Sequence, residues 1–500
     1  MSYEVVVVGG GIGGLTTAAL LAARGVNVCL VERQSSVGGC VAAVEKFGYS
    51  FENGFGLYAL WDEGEIHDRI FAELPVKPPE VKKLAPILNV RLPDQPEIVV
   101  TSDSQSFFEN LRTAFPECAA EAVSFFSQAE AIGNDVLKAP DRLLNPPPAT
   151  FAAKLRGFFP KQLTAEKLRR LANELTSQHL DKVSFRFQRF LDAQLQMFAQ
   201  ASASECSYLY FCILAAIRAR GLFGIRGGAS AIAETLASSI KKSGGAIRLN
   251  AHALRLAYDS SGKVVGVHLL TGETISASRA VVSNLTVWDT YGKLVGLDRT
   301  PSAVRLRLKE LNSWGVYQLF LGIDEAVAEK IPSDHIIGLT DLQENQVFDP
   351  TTALVGFSMA PAWDRRAPDG KRAAMVQVPV DVTDWFTYHV DESEHEEQDQ
   401  RSLETLWARL LSIIPELSGS PELIETATPR TWYEDTRRKL GMLGGLPVTP
   451  SIFGANTITH DTDFENFFMV GDTVYPGAGL ASVSHGALTL ADQLTGKQHR

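Results

Sequence analysis

The stretch that decides the fold lies at residues 5–14 and reads Val-Val-Val-Val-Gly-Gly-Gly-Ile-Gly-Gly. Its four consecutive valines are typical of a strand that is buried on both faces of a parallel sheet. The glycines that follow have the spacing Gly9-x-Gly11-x-x-Gly14, and the pattern after them predicts a helix over residues 13–24. Strand, glycine-rich turn and helix in this order predict the first part of a dinucleotide-binding unit.

Each glycine of the motif has a physical task in such a unit. Gly9 allows the tight turn, Gly11 lets the backbone approach a pyrophosphate, and Gly14 lets the helix pack close to the strand. The helix N-terminus adds free N–H groups and the positive end of its dipole, both of which favour phosphates. The next predicted strand, residues 26–31, is followed by Glu32, whose carboxylate is placed to accept hydrogen bonds from the hydroxyls of an adenosine ribose.

The residues around Glu32 indicate which dinucleotide binds. An acid rather than a base at this place argues against a 2′-phosphate, which both FAD and NAD lack. Arg33 begins a stretch that ends in Gly38-Gly39, and this stretch is similar to the one that follows the acid in FAD enzymes of the amine-oxidase and polyene-desaturase superfamily. The resemblance implies that the double glycine lets this loop pass over the diphosphate and that the cofactor is FAD.

A third signal lies much further along the chain. Residues 467–470 are predicted to form a strand, Gly471-Asp472 follows it, and residues 475–481, Tyr-Pro-Gly-Ala-Gly-Leu-Ala, lead into a helix. An acid at this place can hold a ribityl hydroxyl, and a helix N-terminus directed at the pyrimidine end of a flavin would stabilise the negative charge of its reduced form. The first and last segments of the chain are therefore predicted to form one domain.

With these motifs the sequence resembles the bacterial phytoene-desaturase type family, which also contains carotenoid isomerases and retinol saturases. The resemblance is carried by the segments 5–14, 32–39, 224–228, 280–284 and 470–480. Together the motifs and the resemblance predict a set of residues that contact FAD; they leave the catalytic residue unassigned and predict no metal site. The predicted FAD contacts are Gly9, Gly11, Ile12, Gly13, Gly14, Glu32, Arg33, Gly38, Gly39, Cys40, Gly54, Gly471, Asp472, Gly479, Leu480 and Ala481.

Two places depart from the pattern of that family. Its members usually carry an Asp and a Gly-Pro in the loop after the first hairpin, where this chain has Phe-Glu-Asn-Gly-Phe-Gly at residues 51–56. Because that loop commonly lines the isoalloxazine, the departure bears on the type of substrate. His485 lies within the last predicted helix, where small residues are usual, and we interpret it as a structural histidine, with a role near the flavin as the alternative.

The predicted fold class is α/β, a two-dinucleotide-binding-domain flavoprotein with a discontinuous Rossmann-like FAD domain. The substrate domain is predicted to combine a mixed sheet with a helical cap. Residues 1–100, 221–315 and 441–500 are assigned to the FAD domain. Residues 101–220 are assigned to the helical cap and residues 316–440 to the sheet of the substrate domain.

Composition argues against several other classes of protein. The formal net charge of −11 is unfavourable for binding nucleic acid, which needs a basic surface. No signal-peptide pattern precedes the first strand, and the longest apolar run, residues 208–217, is about half of the roughly 20 residues that span a bilayer, so a cytoplasmic protein is expected. The five cysteines are interpreted as reduced thiols, and no side-chain cluster has the spacing of a metal site.

The resemblance implies the oxidation of a carbon–carbon single bond in a carotenoid or related isoprenoid. One alternative is cis–trans isomerisation or saturation of a polyene with reduced flavin. An amine oxidase is a weaker alternative. Another is a prenyl-binding escort like the Rab GDP-dissociation inhibitors, which share this fold without flavin chemistry. The intact glycine motif, Glu32 and Gly471-Asp472 argue against the escort.

A long apolar substrate would need a tunnel lined by aromatic and aliphatic side chains. Candidates lie in one helical stretch, for which an ordinary helical core is the alternative: Phe185, Phe187, Phe190, Leu195, Met197, Phe198, Tyr208, Tyr210 and Phe211. Residues 151–170 combine aromatic with basic side chains, a composition that favours peripheral contact with a membrane surface. A solvated charged helix is the alternative for that segment.

Overall fold

The computed structural model describes residues 2–93, 96–138, 165–342, 344, 346–387, 392–419 and 421–497. One seven-stranded sheet contains the strand predicted first from the sequence, with the order β10-β2-β1-β13-β12-β11 and β19 beside β13. Its strands are β1 (Ser2–Val8), β2 (Val28–Val31), β10 (Ala246–Arg248), β11 (Ala253–Tyr258), β12 (Val264–Leu269), β13 (Thr274–Ser283) and β19 (Phe467–Met469). The fold is therefore α/β, as predicted.

The register of this sheet brings four strand ends to one edge. Val8, the last residue of β1, lies beside Val31 at the end of β2 and beside Ser283 at the end of β13, and all three strands are parallel. Ser283 in turn lies beside Met469, the last residue of β19. Because ligands of open parallel sheets bind outside the carboxyl ends of the strands, this edge is where a dinucleotide is expected.

The longer helices pack mainly around this sheet and in a separate helical region. They are α1 (Ile12–Ala23), α2 (Ile66–Glu73), α3 (Ser104–Ala114), α4 (Ala119–Leu137), α5 (Ala165–Asn173), α6 (Phe185–Ala199), α7 (Tyr208–Arg220), α8 (Gly228–Lys242), α9 (Ser302–Glu310), α10 (Glu392–Ile413), α11 (Pro429–Thr436) and α12 (Leu480–Thr495). Nearly every residue of α1 is buried, because α1 lies between α8, α12 and the sheet. Short helical turns cover Val287–Asp289, Glu325–Ala328, Pro350–Ala353 and Asp384–Thr387.

A second seven-stranded sheet has the order β18-β14-β17-β16-β15-β7-β8. Its strands are β7 (Leu88–Arg91), β8 (Ile98–Val100), β14 (Gly315–Asp324), β15 (His335–Leu339), β16 (Leu354–Met359), β17 (Lys371–Val380) and β18 (Glu422–Ala427). Strands β14 and β17 are antiparallel over their full length, so that the start of β14 lies beside the end of β17. These two ends face the first sheet across the cavity described below.

Two small sheets complete the described structure. One pairs β3 (Val44–Lys46) with β4 (Tyr49–Phe51), and the other joins β5 (Tyr58–Ala59), β9 (Leu222–Ile225) and β6 (Val81–Lys83). The helices α3, α4, α6 and α7 surround an aromatic core that includes Phe107, Phe126, Phe187 and Phe211. This core occupies the part of the chain that we assigned to the helical cap.

The second sheet also contains residues from the segment that we assigned to the FAD domain. Residues 1–100 include β7 and β8, yet β7 pairs with β15 over Asn89–Arg91. We therefore propose that the first segment of the FAD domain ends before Leu88.

No helix within the described ranges is both long enough and apolar enough to cross a bilayer. Residues 151–164 of the proposed membrane-contact segment lie outside the described residues.

Candidate functional site

The turn between β1 and α1 requires glycine at several positions, because side chains there would collide with neighbouring atoms or need an unfavourable backbone conformation. Gly9 has a φ of +101°, in the left-handed region that favours glycine. A Cβ atom on Gly14 would overlap the carbonyl oxygen of Gly9. A Cβ atom on Gly11, the residue before α1, would lie 2.8 Å from Nδ2 of Asn284. Side chains at these positions would therefore fill the turn and block access to the N–H groups that begin α1.

The carboxylate of Glu32 is held in place by main-chain N–H groups. Its Oε2 accepts a hydrogen bond from the N–H of Gly10 at 2.6 Å, and its Oε1 accepts one from the N–H of Gln34 at 2.7 Å. The side chain also lines the large cavity at the sheet edge. Each oxygen keeps a lone pair, so the carboxylate can still accept from a ribose hydroxyl, as the sequence predicts.

The double glycine lies directly against the turn. The N–H of Gly38 donates to the carbonyl of Gly10 at 2.8 Å, and a Cβ atom on Gly39 would lie 3.5 Å from Cα of Gly11. Both glycines have positive φ values, +120° for Gly38 and +58° for Gly39. The loop predicted to pass over the diphosphate therefore runs next to the backbone that would hold it.

Asn284 joins the two distant parts of the chain that form this edge. It follows β13, and its Nδ2 donates to the carbonyl of Gly9 at 3.4 Å. Its Oδ1 would lie 3.0 Å from a Cβ atom on Gly471, and the N–H nitrogen of Gly471 would lie 3.2 Å from a Cβ atom on Gly13. The first and last motifs thus meet around one amide side chain. Residues 280–284 resemble the family in sequence, but Asn284 was not among the predicted site residues.

Asp472 forms an ion pair that the sequence did not reveal. Its two carboxylate oxygens accept from Nη1 and Nη2 of Arg438 at 3.3 Å and 2.9 Å, and Nε of Arg438 donates to the carbonyl of Met442 at 2.7 Å. Burial disfavours the charge on Arg438, but the Asp472 carboxylate outweighs it and raises the pKa of the guanidinium. Next to this ion pair, burial raises the pKa of the Cys40 thiol. The positive charge of Arg438 lowers the same pKa, but by less than burial raises it. Cys40 is therefore a neutral thiol next to a charged pair.

The end of α11 lies beside Arg33 and Gln34, where the sequence predicts an adenosine. The guanidinium of Arg33 and the side-chain amide of Gln34 both donate to the carbonyl of Asp435, the latter at 2.6 Å. The ammonium of Lys293 donates to the carbonyl of Arg437 at 2.7 Å. Residues 435–438 therefore run along the cavity and are held there by side chains that follow β2 and β13.

A cavity of about 820 Å³ lies along these elements. Of the predicted FAD contacts, all but Gly14 and Ala481 line it, and Gly14 acts beneath the turn as described above. His485 is not among the lining residues, which agrees with the structural role that we prefer for it. Gly479 precedes α12 with a φ of +92°, and α12 begins at Leu480 beside the cavity.

The cavity continues away from the glycine-rich turn into what we call the distal chamber. Its apolar and its amide side chains come from the second sheet, from α6 and from the loops after β4 and before β14. They are Asn53, Phe55, Gln196, Met197, Phe198, Gln200, Trp314, Val316, Gln318, Gln377, Pro379 and Leu443. Charged side chains also line the cavity, and Glu32, Arg33, Arg438 and Asp472 among them belong to the part of it described above.

Most of the aromatic residues predicted to line a substrate tunnel do not reach the cavity. Only Met197 and Phe198 of the nine candidates line it. Six of the others, Phe187, Phe190, Leu195, Tyr208, Tyr210 and Phe211, are buried in the helical core. The alternative interpretation, a packed core, is therefore correct for these six. Phe185 contacts the guanidinium of Arg189 and lies outside the cavity lining.

The unusual loop at residues 51–56 is anchored by a buried charge network. Glu52 points away from the chamber: its Oε1 accepts from the N–H of Ala229 at the start of α8, and its Oε2 pairs with Nη1 of Arg366, each at 3.0 Å. Arg366 also pairs with Asp364 at 2.6 Å. The acid in this loop therefore fixes the N-terminus of α8, while Asn53 to Gly56 line the cavity.

A buried histidine supports the far end of the same loop. Gly56 has a φ of +71°, and a Cβ atom there would lie 3.0 Å from Cε1 of His335. The Nδ1 of His335 is 3.1 Å from the Oγ of Ser358. Burial, with help from Arg366, lowers the pKa of His335 to about 3, so its imidazole is neutral at physiological pH.

The residues present fit an FAD molecule. The glycine-bared turn and the N-terminus of α1 suit a diphosphate, and the fixed carboxylate of Glu32 suits an adenosine ribose. Cβ atoms on the glycines of the turn would fill that cradle. The cavity then extends past Asp472 and the start of α12 into an uncharged chamber, which suits the flavin end of the molecule and a second ligand.

Comparisons with known proteins agree with this arrangement. A family model described as flavin containing amine oxidoreductase matches residues 12–417. The chain is 27% identical over 513 residues to the chloroplastic prolycopene isomerase of Arabidopsis thaliana, covering 98% of this chain and 82% of that protein. It is 23% identical over 510 residues to the 4,4'-diapophytoene desaturase (4,4'-diapolycopene-forming) of Methylomonas sp., covering 99% and 96%.

A solved structure of a putrescine oxidase variant is 14% identical, covers 100% of both chains and superimposes with a TM-score of 0.64. That likeness concerns the fold. The predicted family resemblance, fold class and cofactor are thus confirmed. The chain belongs to the flavin-containing amine oxidoreductase family, with FAD as its cofactor and carotenoid-modifying enzymes among its relatives.

Proposed function

We propose that this protein is an oxidoreductase that desaturates a carbon–carbon bond of a long, apolar, carotenoid-like isoprenoid. The observation that carries the proposal is the distal chamber, whose lining side chains are uncharged and which is continuous with the glycine-rich half of the cavity. Hydride transfer to a flavin needs alignment and a dry site more than it needs an acid or a base from the protein. An uncharged chamber meets that need.

The apolar wall of the chamber supports an apolar substrate. Phe55 and Phe198 meet edge to face with ring centroids 6.4 Å apart. A Cβ atom on Gly356 would lie 2.6 Å from Cε of Met197 and 2.9 Å from Cε2 of Phe55, so the absence of a side chain there lets both residues pack against β16. The weaker amine-oxidase alternative has less support, because no carboxylate in the chamber is available to hold an ammonium group.

When bound, FAD supplies the ability to accept or return a hydride. The protein's own residues perform the remaining tasks. Glu32 and the turn at Gly9 to Gly14 would bind the nucleotide, and Asp472, which Arg438 holds in place, would bind the ribityl chain. Phe55, Met197 and Phe198 exclude water and orient the substrate.

Cis–trans isomerisation of a polyene is a second candidate. The observation in its favour is the similarity to prolycopene isomerase over 98% of this chain. Anaerobic incubation of the FAD-loaded protein with a cis-polyene separates the two reactions. Desaturation requires that oxidised flavin loses its absorbance near 450 nm, about one flavin for each double bond formed. A change of isomer without flavin reduction, or one that requires chemically reduced flavin, would overturn the desaturase proposal in favour of the isomerase.

Peripheral membrane contact through residues 151–170 is a further part of the proposal, and it rests on the sequence alone. An apolar substrate dissolved in a bilayer would make such contact useful. The test is co-sedimentation with vesicles that contain anionic lipid. We expect binding that falls when Lys154, Arg156 and Lys161 are changed to Gln; unchanged binding would reject this segment as the contact.

A further inference from the structure

The distal chamber contains more hydrogen-bonding capacity than a hydrocarbon can use. Five primary amides, those of Asn53, Gln196, Gln200, Gln318 and Gln377, lie beside its apolar wall. Gln196 and Gln200 are one helical turn apart on α6, while Gln318 and Gln377 are direct neighbours across β14 and β17. The chamber is therefore uncharged and polar on one side.

Two of these amides use their N–H donors within the protein. Gln200 donates to the carbonyl of Leu443 at 2.6 Å and accepts from the hydroxyl of Ser313 at 3.0 Å. Gln318 donates to the carbonyl of Asn53 at 3.0 Å and is 3.3 Å from Oε1 of Gln377. These bonds fix Gln318 and orient Gln377, whose oxygen is directed toward its neighbour.

Two others retain unused donors. Gln377 appears in the described structure only as an acceptor, so its NH₂ group has no partner there and lines the chamber. Gln196 is 5% exposed, and its buried Nε2 has no partner within the described residues. A hydrocarbon that fills the chamber would remove water from the NH₂ group of Gln377 and offer nothing in return, which is costly.

We infer that the distal chamber takes an isoprenoid that carries a neutral oxygen function, a hydroxyl or a carbonyl, and that Gln377 is the residue that selects it. This inference rests on the proposed function and narrows its substrate class. An oxygen of either kind accepts a hydrogen bond from the NH₂ group of Gln377, with the uncharged lining disfavouring carboxylates and amines. The apolar remainder of the molecule packs against Phe55, Met197 and Phe198.

The test compares two ligands that differ only in the oxygen. The dissociation constants of geranylgeraniol and of the hydrocarbon with the same carbon skeleton are measured on the FAD-loaded protein by quenching of tryptophan fluorescence. We expect the alcohol to bind at least about tenfold more tightly. Gln377→Leu should remove this preference by weakening the alcohol alone. Gln377→Asn should restore part of it, and Gln188→Leu, the same kind of change on α6 outside the cavity lining, should retain it.

Each other result has a definite meaning. Equal binding of the two ligands to the unaltered protein would overturn the inference and leave the proposed function standing. So would a preference that survives Gln377→Leu. Failure of both ligands to bind would overturn the proposed substrate class as well. A Gln377→Leu protein that releases FAD in a parallel flavin-fluorescence titration would assign this amide to the cofactor instead.

Discussion

The two halves of the cavity are lined by different parts of the polypeptide. The nucleotide half is made mostly of main chain, exposed by glycines at Gly9, Gly11 and Gly39, whereas the distal chamber is made of side chains from β14, β17 and α6. We expect the first half to recognise phosphate and ribose, which every dinucleotide shares, and the second to recognise the substrate. Cofactor and substrate are therefore expected to be bound by separate kinds of chemistry within one cavity.

The largest effect is expected where the nucleotide half depends on a missing side chain. Gly14→Val should destabilise the protein by about 3 kcal/mol or more and abolish FAD retention, because its Cβ atom would overlap the carbonyl oxygen of Gly9. Urea unfolding and flavin fluorescence would measure both effects. Ala120→Val, on the exposed face of α4 and outside the cavity lining, is the control. Normal FAD binding by the Gly14 variant would refute the close-packing argument.

The next effect concerns the one acidic side chain that the turn holds. Glu32→Ala should weaken FAD binding by about 1.5–3 kcal/mol, because the ribose would lose a charge-assisted hydrogen bond. The loss should appear in a titration of the FAD-free protein with FAD. Glu45→Ala, on the nearby exposed hairpin, serves as the control. Equal FAD affinity for the Glu32 variant and the unaltered protein would remove Glu32 from its role.

A somewhat smaller effect is expected at the ion pair between the two halves. Arg438→Gln should lower the free energy of unfolding by about 1–2 kcal/mol, because it leaves the partly buried carboxylate of Asp472 without its cation. The double variant Arg438→Gln with Asp472→Asn should recover part of that loss. Urea unfolding of this double variant and of the two single variants, Arg438→Gln and Asp472→Asn, measures the coupling. Additive losses in this cycle would show that the pair does not act as a unit.

The smallest effect tests the support of the distal chamber through pH. Burial lowers the pKa of His335 to about 3 from an ordinary 6.5, so between these values the unfolded chain binds a proton that the folded chain does not. The contribution of the neutral, buried His335 to the free energy of unfolding is fully present above pH 6.5 and is lost as the pH falls. For this group we expect a loss of about 1 kcal/mol between pH 6.5 and 5.5. His335→Gln should remove that part of the slope in urea unfolding, whereas a change of the exposed His268 should leave it intact.

The difference between the halves also decides what could be predicted from the sequence. The turn at Gly9 to Gly14, Glu32 and the double glycine were predictable because a βαβ unit is local and its glycines have fixed spacing. The same holds for Gly471-Asp472, which follows its own strand. These motifs lie where expected around one cavity. The assignment of their contacts to FAD remains a prediction.

Residues that act through pairing across the fold were not predictable. Arg438 reaches the site from a segment far from the motifs and has no local signature. Asn284 ends a matched segment, but its contact with Gly9 depends on the pairing of β1 with β13. The same is true of Gln318 and Gln377, which meet only because β14 and β17 pair in one register. The aromatic stretch of α6 and α7 was ambiguous for a related reason, since a helical core and a tunnel wall have the same composition.

The placement of β19 beside β13 has a consequence for how the protein is made. About 190 residues separate the end of β13 from Asp472, and their synthesis takes about 10–40 s at about 5–20 residues per second. Until then β13 has β1 on one side but lacks its last parallel neighbour. A nascent chain therefore carries a nearly complete glycine turn with no finished pocket, and tight capture of the cofactor must wait for the final strand.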